Sequence, residues 1–144
     1  MPLLTLSLSA AKDGNRAGKA ARILTDLTAR HLGKAPEVTA VIVHEHDPAR
    51  WFIGAEPLAG DVAARASFAL DVKVTAGTNT KAEISAYIDA VFAAMGALTG
   101  AVRTESYIVV DEVPAPNWGF GGRTQEHRFI AGRRAEPATE LTAP

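Results

Sequence analysis

The chain has 144 residues, 47 % hydrophobic and 22 % charged, the balance of one globular domain. A net charge of −1 and a pI near 6.4 exclude a nucleic-acid footprint built on a basic face. With no cysteine there is no disulfide, thiolate nucleophile or cysteine-based metal site.

The first element follows Pro2 directly. Leu4, Leu6 and Leu8 alternate with Thr5, Ser7 and Ser9, the period of a half-buried strand. This stretch is short and lacks a basic lead, so it does not read as a signal peptide. No apolar run approaches the roughly 20 residues of a membrane span. The cytoplasm is the expected location, with no membrane and no nucleic acid among the partners.

Lys12–Asn15 is a polar break in which Asp13 is the expected helix cap. From Asn15 to Leu32 the pattern is helical, with Ala17, Ala20, Leu24, Leu27 and His31 on one face. Gly33 and Pro36 end it. Val38–His44 reads as a second strand, apolar on both faces as in a buried strand. Trp51-Phe52-Ile53-Gly54 is a short hairpin signal, and Glu56–Ala66 reads as a loop.

The order then repeats. Phe68, Leu70, Val72 and Val74 alternate with polar or small residues, giving a third strand. Thr80 with Glu83 is a capping box. Ile84, Tyr87, Ile88, Val91, Met95 and Leu98 form a helical stripe that Gly100 ends. Tyr107–Val110 is the fourth strand, and Asn117 to Gly122 is the second hairpin signal. An offset of 67 places Gly33 on Gly100, Val43 on Val110, Glu45 on Glu112, Trp51 on Trp118 and Gly54 on Gly121. The first strands of the two halves need a one-residue slip.

Two strand-helix-strand units with right-handed crossovers predict an α+β fold. It is a tandem β-α-β repeat forming a four-stranded sheet with both helices on one face. The uncovered face needs a cover, for which a homo-oligomer is the simplest source. One domain over residues 1–132 is expected, with repeats at about 2–55 and 67–122 and a flexible tail over 133–144.

A proline after Met1, a β-α-β repeat and a Trp-Gly-x-Gly-Gly hairpin together resemble the tautomerase superfamily, whose founding member is 4-oxalocrotonate tautomerase. The fused length, Leu24-Thr25-Asp26 and Trp51-Phe52-Ile53-Gly54 are similar to the cis-3-chloroacrylic acid dehalogenase branch. Pro2-Leu3-Leu4 and Ile42-Val43-His44 are similar to malonate semialdehyde decarboxylase. The resemblance covers roughly Pro2 to Arg128. It implies a tautomerase/MIF-like fold, a trimer of fused chains and no cofactor. It also implies that Pro2, freed by removal of Met1, is the catalyst. A buried amine loses charge more readily and can move a proton on a small keto or enol acid. In the dehalogenase and decarboxylase branches it implies an acid instead. If Met1 stays, Pro2 is an amide and cannot act as a base.

The relatives' carboxylate-binding arginines are largely replaced. Lys12 stands where the tautomerase has an arginine after the first strand. Thr75-Ala76-Gly77-Thr78 stands where the dehalogenase has two arginines. Thr28 stands at its histidine, Asn117 near its acidic residue, and Val109 at its tyrosine, with Tyr107 on the same strand face. Hydrolytic dehalogenation is therefore not expected. Lys12 and Arg123 are the candidate cations for a small carbonyl or carboxylate substrate, ahead of Arg103, Lys73 and Arg65. Trp118 and Phe120 are candidate pocket walls, and Tyr107 and His44 candidate contacts. His44-Glu45-His46-Asp47 offers two imidazoles on one face, but a third ligand is lacking unless His127 joins them, and no metal is expected. The Gly77–Thr80 loop is a weak anion site. The reading is an isomerase of the tautomerase kind; alternatives are a hydratase or decarboxylase of a small unsaturated or keto acid, or a non-catalytic trimeric binding protein.

Overall fold

A computed structural model describes residues 1–10, 13–59 and 65–135. In chain order the elements are β1 (Leu3–Leu8), α1 (Arg16–Leu32), β2 (Ala40–Glu45), the hairpin β3 (Phe52–Ile53) and β4 (Glu56–Pro57), β5 (Phe68–Thr75), α2 (Lys81–Thr99), β6 (Tyr107–Val113), the hairpin β7 (Gly119–Phe120) and β8 (Arg123–Thr124), and α3 (Gln125–Ala135). The main sheet has the order β2-β1-β5-β6. β1 and β2 are parallel, β5 and β6 are parallel, and the two units meet through antiparallel β1 and β5.

The repeat is visible in the registers. Leu3 pairs with Ala40, 37 positions on, whereas Ala69 pairs with Tyr107, 38 positions on. The one-residue slip expected between the first strands is this difference. Both hairpins keep the offset of 67: Phe52 pairs Pro57 and Gly119 pairs Thr124. Their turns use left-handed residues, Gly54 with Ala55 and Gly121 with Gly122, which match the twist of paired strands.

The alternation of β1 and β5 is realised in full. Leu4, Leu6, Leu8, Phe68, Leu70, Val72 and Val74 turn toward the helices and are buried. Ala20, Leu24, Leu27 and Leu32 of α1 meet them, with Tyr87, Val91 and Met95 of α2. Each fully buried leucine contributes about 2–3 kcal/mol. The α1 stripe is rotated from the expected one: Thr28 and Leu32 are buried, and His31 only partly. Thr28 shares a buried hydrogen bond of 2.9 Å with the Tyr87 hydroxyl and donates to the Leu24 carbonyl, which joins the two helices. α2 has the length and hydropathy to cross a bilayer, but its central stripe is spent on this core.

Burial pushes the Tyr87 phenol up to about 12. The unfolded phenol titrates near 10, so the folded chain keeps a proton that the unfolded chain loses. Tyr87 therefore contributes stability that is whole below about pH 10 and declines as pH rises toward 12. The expected slope is about 1.4 kcal/mol per pH unit. Urea midpoints between pH 9 and 12 would show it, and Tyr87→Phe should abolish the component.

Four further expectations are corrected. β2 is an edge strand, not a buried one: β1 and β5 take the centre, leaving Ile42 45 % exposed. Asp13 does not cap α1. Asn15 holds the cap position, and the Asp13 carboxylate accepts the Asn15 N–H in a turn ahead of the helix. The chain after the second hairpin is helical through Ala135, three residues into the stretch read as tail, and residues 136–144 lie outside the described ones. The predicted loop after the first hairpin signal also contains β4. The Thr80–Glu83 capping box and the Gly33 left-handed stop form as expected.

The sheet face away from the helices carries rows of side chains. One row is Ala40, Leu3, Lys73, Asp111; the next is Ile42, Thr5, Asp71, Val109; the third is His44, Ser7, Ala69, Tyr107. The mixture of apolar and paired charged residues leaves Val109 50 % and Tyr107 63 % exposed.

Candidate active site at the chain terminus

Topology decides what surrounds Pro2. In a β-α-β unit the helix returns the chain to the edge where its first strand began. The α1–β2 connection therefore lies beside Pro2. Because β5 runs antiparallel to β1, the end of β5, the end of β6 and the second hairpin reach the same edge.

Pro2 itself is buried, and its carbonyl accepts the Ala40 N–H at 3.2 Å. The Trp118 indole N–H donates to the Met1 carbonyl at 2.9 Å. The Gln125 side-chain amide reaches the Met1 sulfur at 3.5 Å. Two donors flanking the second hairpin thus converge on the residue ahead of Pro2. Burial, and secondly the Lys34 ammonium, hold the Met1 amine below the usual α-amino range.

Lys34 is a cation at this edge. It follows Gly33, whose left-handed turn (φ 65°) ends α1 and sends the chain back toward the sheet. Its ammonium donates to Thr78 Oγ1 at 2.7 Å, and Thr78 donates in turn to the Thr75 carbonyl. Burial lowers the Lys34 ammonium from its ordinary range, while Glu83 and Glu112 oppose that shift. The Asn79 amide ties this loop to the Leu32 carbonyl at 2.9 Å. The weak anion site read at Gly77–Thr80 already faces a carboxylate of the chain itself: the Gly77 N–H donates to Glu112 at 3.3 Å.

The sequence-derived candidates divide accordingly. Pro2 and Trp118 come together. Lys12 lies outside the described residues. Arg123 is exposed on β8, two residues before Gln125. Tyr107 and His44 do not join the site within one chain, because both lie in the row of Ser7, about 16 Å along β1 from Pro2. Lys73 pairs with Asp111 on the open face, and Arg103 pairs with Glu105. The His44 and His46 rings are 6.2 Å apart, His46 packs edge-on to Trp51, and no group of three metal-ligating side chains occurs among the described residues. Phe120 is held under the Arg128 guanidinium, 4.9 Å from its ring centre.

Sequence reasoning missed Lys34, Glu112 and Gln125. A signal existed for Lys34: it is the single cation in the α1–β2 connection, and parallel pairing of β1 with β2 obliges that connection to return to the Pro2 edge.

A family model for Tautomerase enzymes matches residues 19–60. No curated protein matches the chain. Among solved structures, native fused 4-OT superposes with a TM-score of 0.77 at 21 % identity, covering 87 % of this chain and 97 % of that one. An asymmetric trimer of wild-type fused 4-OT gives 0.75 at 20 % identity, covering 88 % and 98 %. A macrophage migration inhibitory factor-like protein from Entamoeba histolytica gives 0.69 at 19 % identity, covering 85 % and 97 %. The chain has the fused tautomerase fold. Both repeats take part in that likeness, since it spans nearly the whole of the fused structures. The expected α+β architecture, with the mixed sheet and paired helices, is that fold.

Proposed function

We propose that this fused tautomerase-fold chain, once Met1 is removed, is an isomerase that moves a proton on a small keto or enol acid through the Pro2 amine. The observation that carries the reading is the convergence of Trp118 and Gln125 on the residue ahead of Pro2, with the Lys34 ammonium acting on its amine. Removing that residue frees the Trp118 indole N–H and the Gln125 amide beside a secondary amine.

The chemistry follows from those groups. A desolvated amine near a second cation is neutral at lower pH than an ordinary one, so it can accept the proton α to a carbonyl. The developing enolate oxygen needs a donor, which the Trp118 indole supplies. The substrate carboxylate needs a cation, and Lys34 takes the role for which Lys12 and Arg123 were the expected candidates. The protonated amine then returns the proton at another carbon. Hydration or decarboxylation of a similar acid is the alternative within catalysis, and a non-catalytic trimeric binding protein is the alternative outside it.

A homotrimer accompanies this reading. Similar structures include symmetric and asymmetric trimers of fused 4-OT. The exposed Ile42, Val109 and Tyr107 of the open face are the surface such an assembly would cover. Sedimentation as a monomer would count against it.

A similar structure is of a protein inactivated by 2-oxo-3-pentynoate, and the same reagent tests this chain. An alkynyl ketone adds to a neutral amine, so one adduct per chain is expected, on Pro2, with loss of phenylpyruvate enolisation. Labelling elsewhere with activity retained would sink the proposal. Trp118→Phe keeps the aromatic wall and removes only the N–H. It is expected to reduce kcat/KM about fivefold, the worth of one neutral hydrogen bond.

A further inference from the structure

The edge of the sheet opposite Pro2 holds a second cavity, of about 530 Å³. That volume lies within the range of small-molecule pockets. Its walls include Ser9, Ala10, Asp47, Leu58, Arg16 and Arg65. Three of these, Ser9, Ala10 and Leu58, are internal-repeat counterparts of residues at the Pro2 edge. The β1-to-β5 offset of 66 carries Ser9 and Ala10 onto Thr75 and Ala76, which lead into the Lys34 and Glu112 cluster. The hairpin offset of 67 carries Leu58 onto Gln125, the residue that touches Met1. The local bonds repeat as well. The Leu58 N–H donates to the Trp51 carbonyl at 2.9 Å, as the Gln125 N–H donates to Trp118 at 2.8 Å. Glu45 accepts the Asp13 N–H at 3.0 Å, as its counterpart Glu112 accepts the Gly77 N–H at 3.3 Å.

Two features differ, and they decide what this cavity does. The counterpart of Pro2 is Phe68, inside a continuous chain, and its amide N–H donates to Ser106 Oγ at 3.2 Å. An amide nitrogen is not a base, so the cavity holds no equivalent of the catalytic amine. The cations differ too. Arg16 and Arg65 line the wall. Arg16 is held in place by Asp13 and Glu45, at 3.6 and 3.5 Å. Arg65 borders Arg103 on its other side. A guanidinium grips a carboxylate through two parallel hydrogen bonds, which an ammonium cannot do. The Ser9 hydroxyl, whose oxygen accepts the Ser67 N–H at 2.8 Å, carries a proton to donate beside them.

We propose that this cavity is a second, non-catalytic binding site for a small carboxylate, built on the scaffold of the Pro2 site but with arginines in place of the amine. The chain then has one pocket that turns substrate over and one that only retains a molecule of the same class. The proposal does not depend on the chemistry of Pro2, since the two edges are separated by the length of β1.

Malonate is the probe. Titrated into the full-length, isotopically labelled protein, it should shift the backbone amide signals of Ser9, Ala10 and Ala66 along a saturable curve. Arg65→Ala should weaken that curve about tenfold, the worth of a charge-assisted contact. It should leave the titration of the Trp118 indole signal unchanged. Arg65→Lys should recover only part of the affinity, because the charge returns without the fork. Arg65 is exposed ahead of β5, so these substitutions leave the core intact. Shifts confined to Trp118 and Gly77, or a Ser9 curve indifferent to Arg65→Ala, would overturn the second site. A silent Trp118 signal with responsive Ser9 and Ala10 would count against the Pro2 reading alone.

Discussion

Protein that retains Met1 is expected to enolise phenylpyruvate roughly 10²- to 10⁴-fold more slowly than processed protein, the span that a positioned acid–base group contributes. With Met1 in place the Pro2 nitrogen is a tertiary amide with no basic lone pair. The Met1 side chain and carbonyl also occupy Gln125 and Trp118. Processing therefore changes two things at once: it creates the base and it releases the donors that face it. Pro2→Ala separates them. Alanine is small enough for Met1 still to be removed, so the donors are released, but the base becomes a primary amine on a freer backbone. A drop of about tenfold or more is expected, smaller than that for retained Met1. Intact mass establishes the terminus in each preparation. Equal rates for wild type and Pro2→Ala would end the Pro2 mechanism.

The second large effect belongs to Lys34. Its replacement by alanine should lower kcat/KM roughly ten- to a hundredfold, the worth of a charge-assisted hydrogen bond to a substrate carboxylate. That loss should appear mainly in KM. The same substitution has a separate electrostatic signature. With Met1 in place, Lys34 helps to hold the Met1 amine below its usual range, because a nearby positive charge disfavours the ammonium form, and the Pro2 amine freed by processing is expected to lie under the same cation. Removing that charge raises the amine's pKa, so a higher pH is needed to keep it neutral. The acid limb of the kcat/KM profile should therefore move to higher pH in Lys34→Ala and return in Lys34→Arg. A loss of activity with an unmoved acid limb would show that Lys34 acts on the substrate but not on the base. Glu83 and Glu112 oppose the burial that lowers the Lys34 ammonium. Glu112→Gln should accordingly weaken substrate binding in the same direction, to a smaller extent.

These two predictions concern residues of unequal visibility. Pro2 was legible because its meaning is positional: it stands ahead of an alternating strand, in a chain whose halves repeat. Trp118 was legible because a tryptophan inside a glycine hairpin is a local pattern. Lys34 is 32 residues from Pro2 and Gln125 is 123, and no period connects them. Their convergence depends on the strand order β2-β1-β5-β6, in which β1 is parallel to β2 and antiparallel to β5. Tyr107 and His44 stand apart from Pro2 within one chain for the same reason. Their strands were correctly recognised, but the register sets both at the row of Ser7, at the far end of β1 from the amine.

By itself the sequence determined what short-range physics encodes. The alternation of Leu4, Leu6 and Leu8 against Phe68, Leu70, Val72 and Val74 named the buried face of the sheet. The Thr80–Glu83 box and Gly33 named helix ends, and the offset of 67 named the repeat with its one-residue slip. Each of these signals lies within a few residues or in a translation along the chain. The tertiary structure alone decided which strands lie at the edges, and so left Ile42 exposed. It also turned Thr28 into the core to meet Tyr87. Above all it brought a glutamine and a tryptophan onto the residue ahead of Pro2, with Lys34 acting on the same terminus, and placed a cavity with no amine at the opposite edge. Both sites follow from pairing between distant segments, whose energies depend on which edge each strand faces rather than on what stands beside it in sequence.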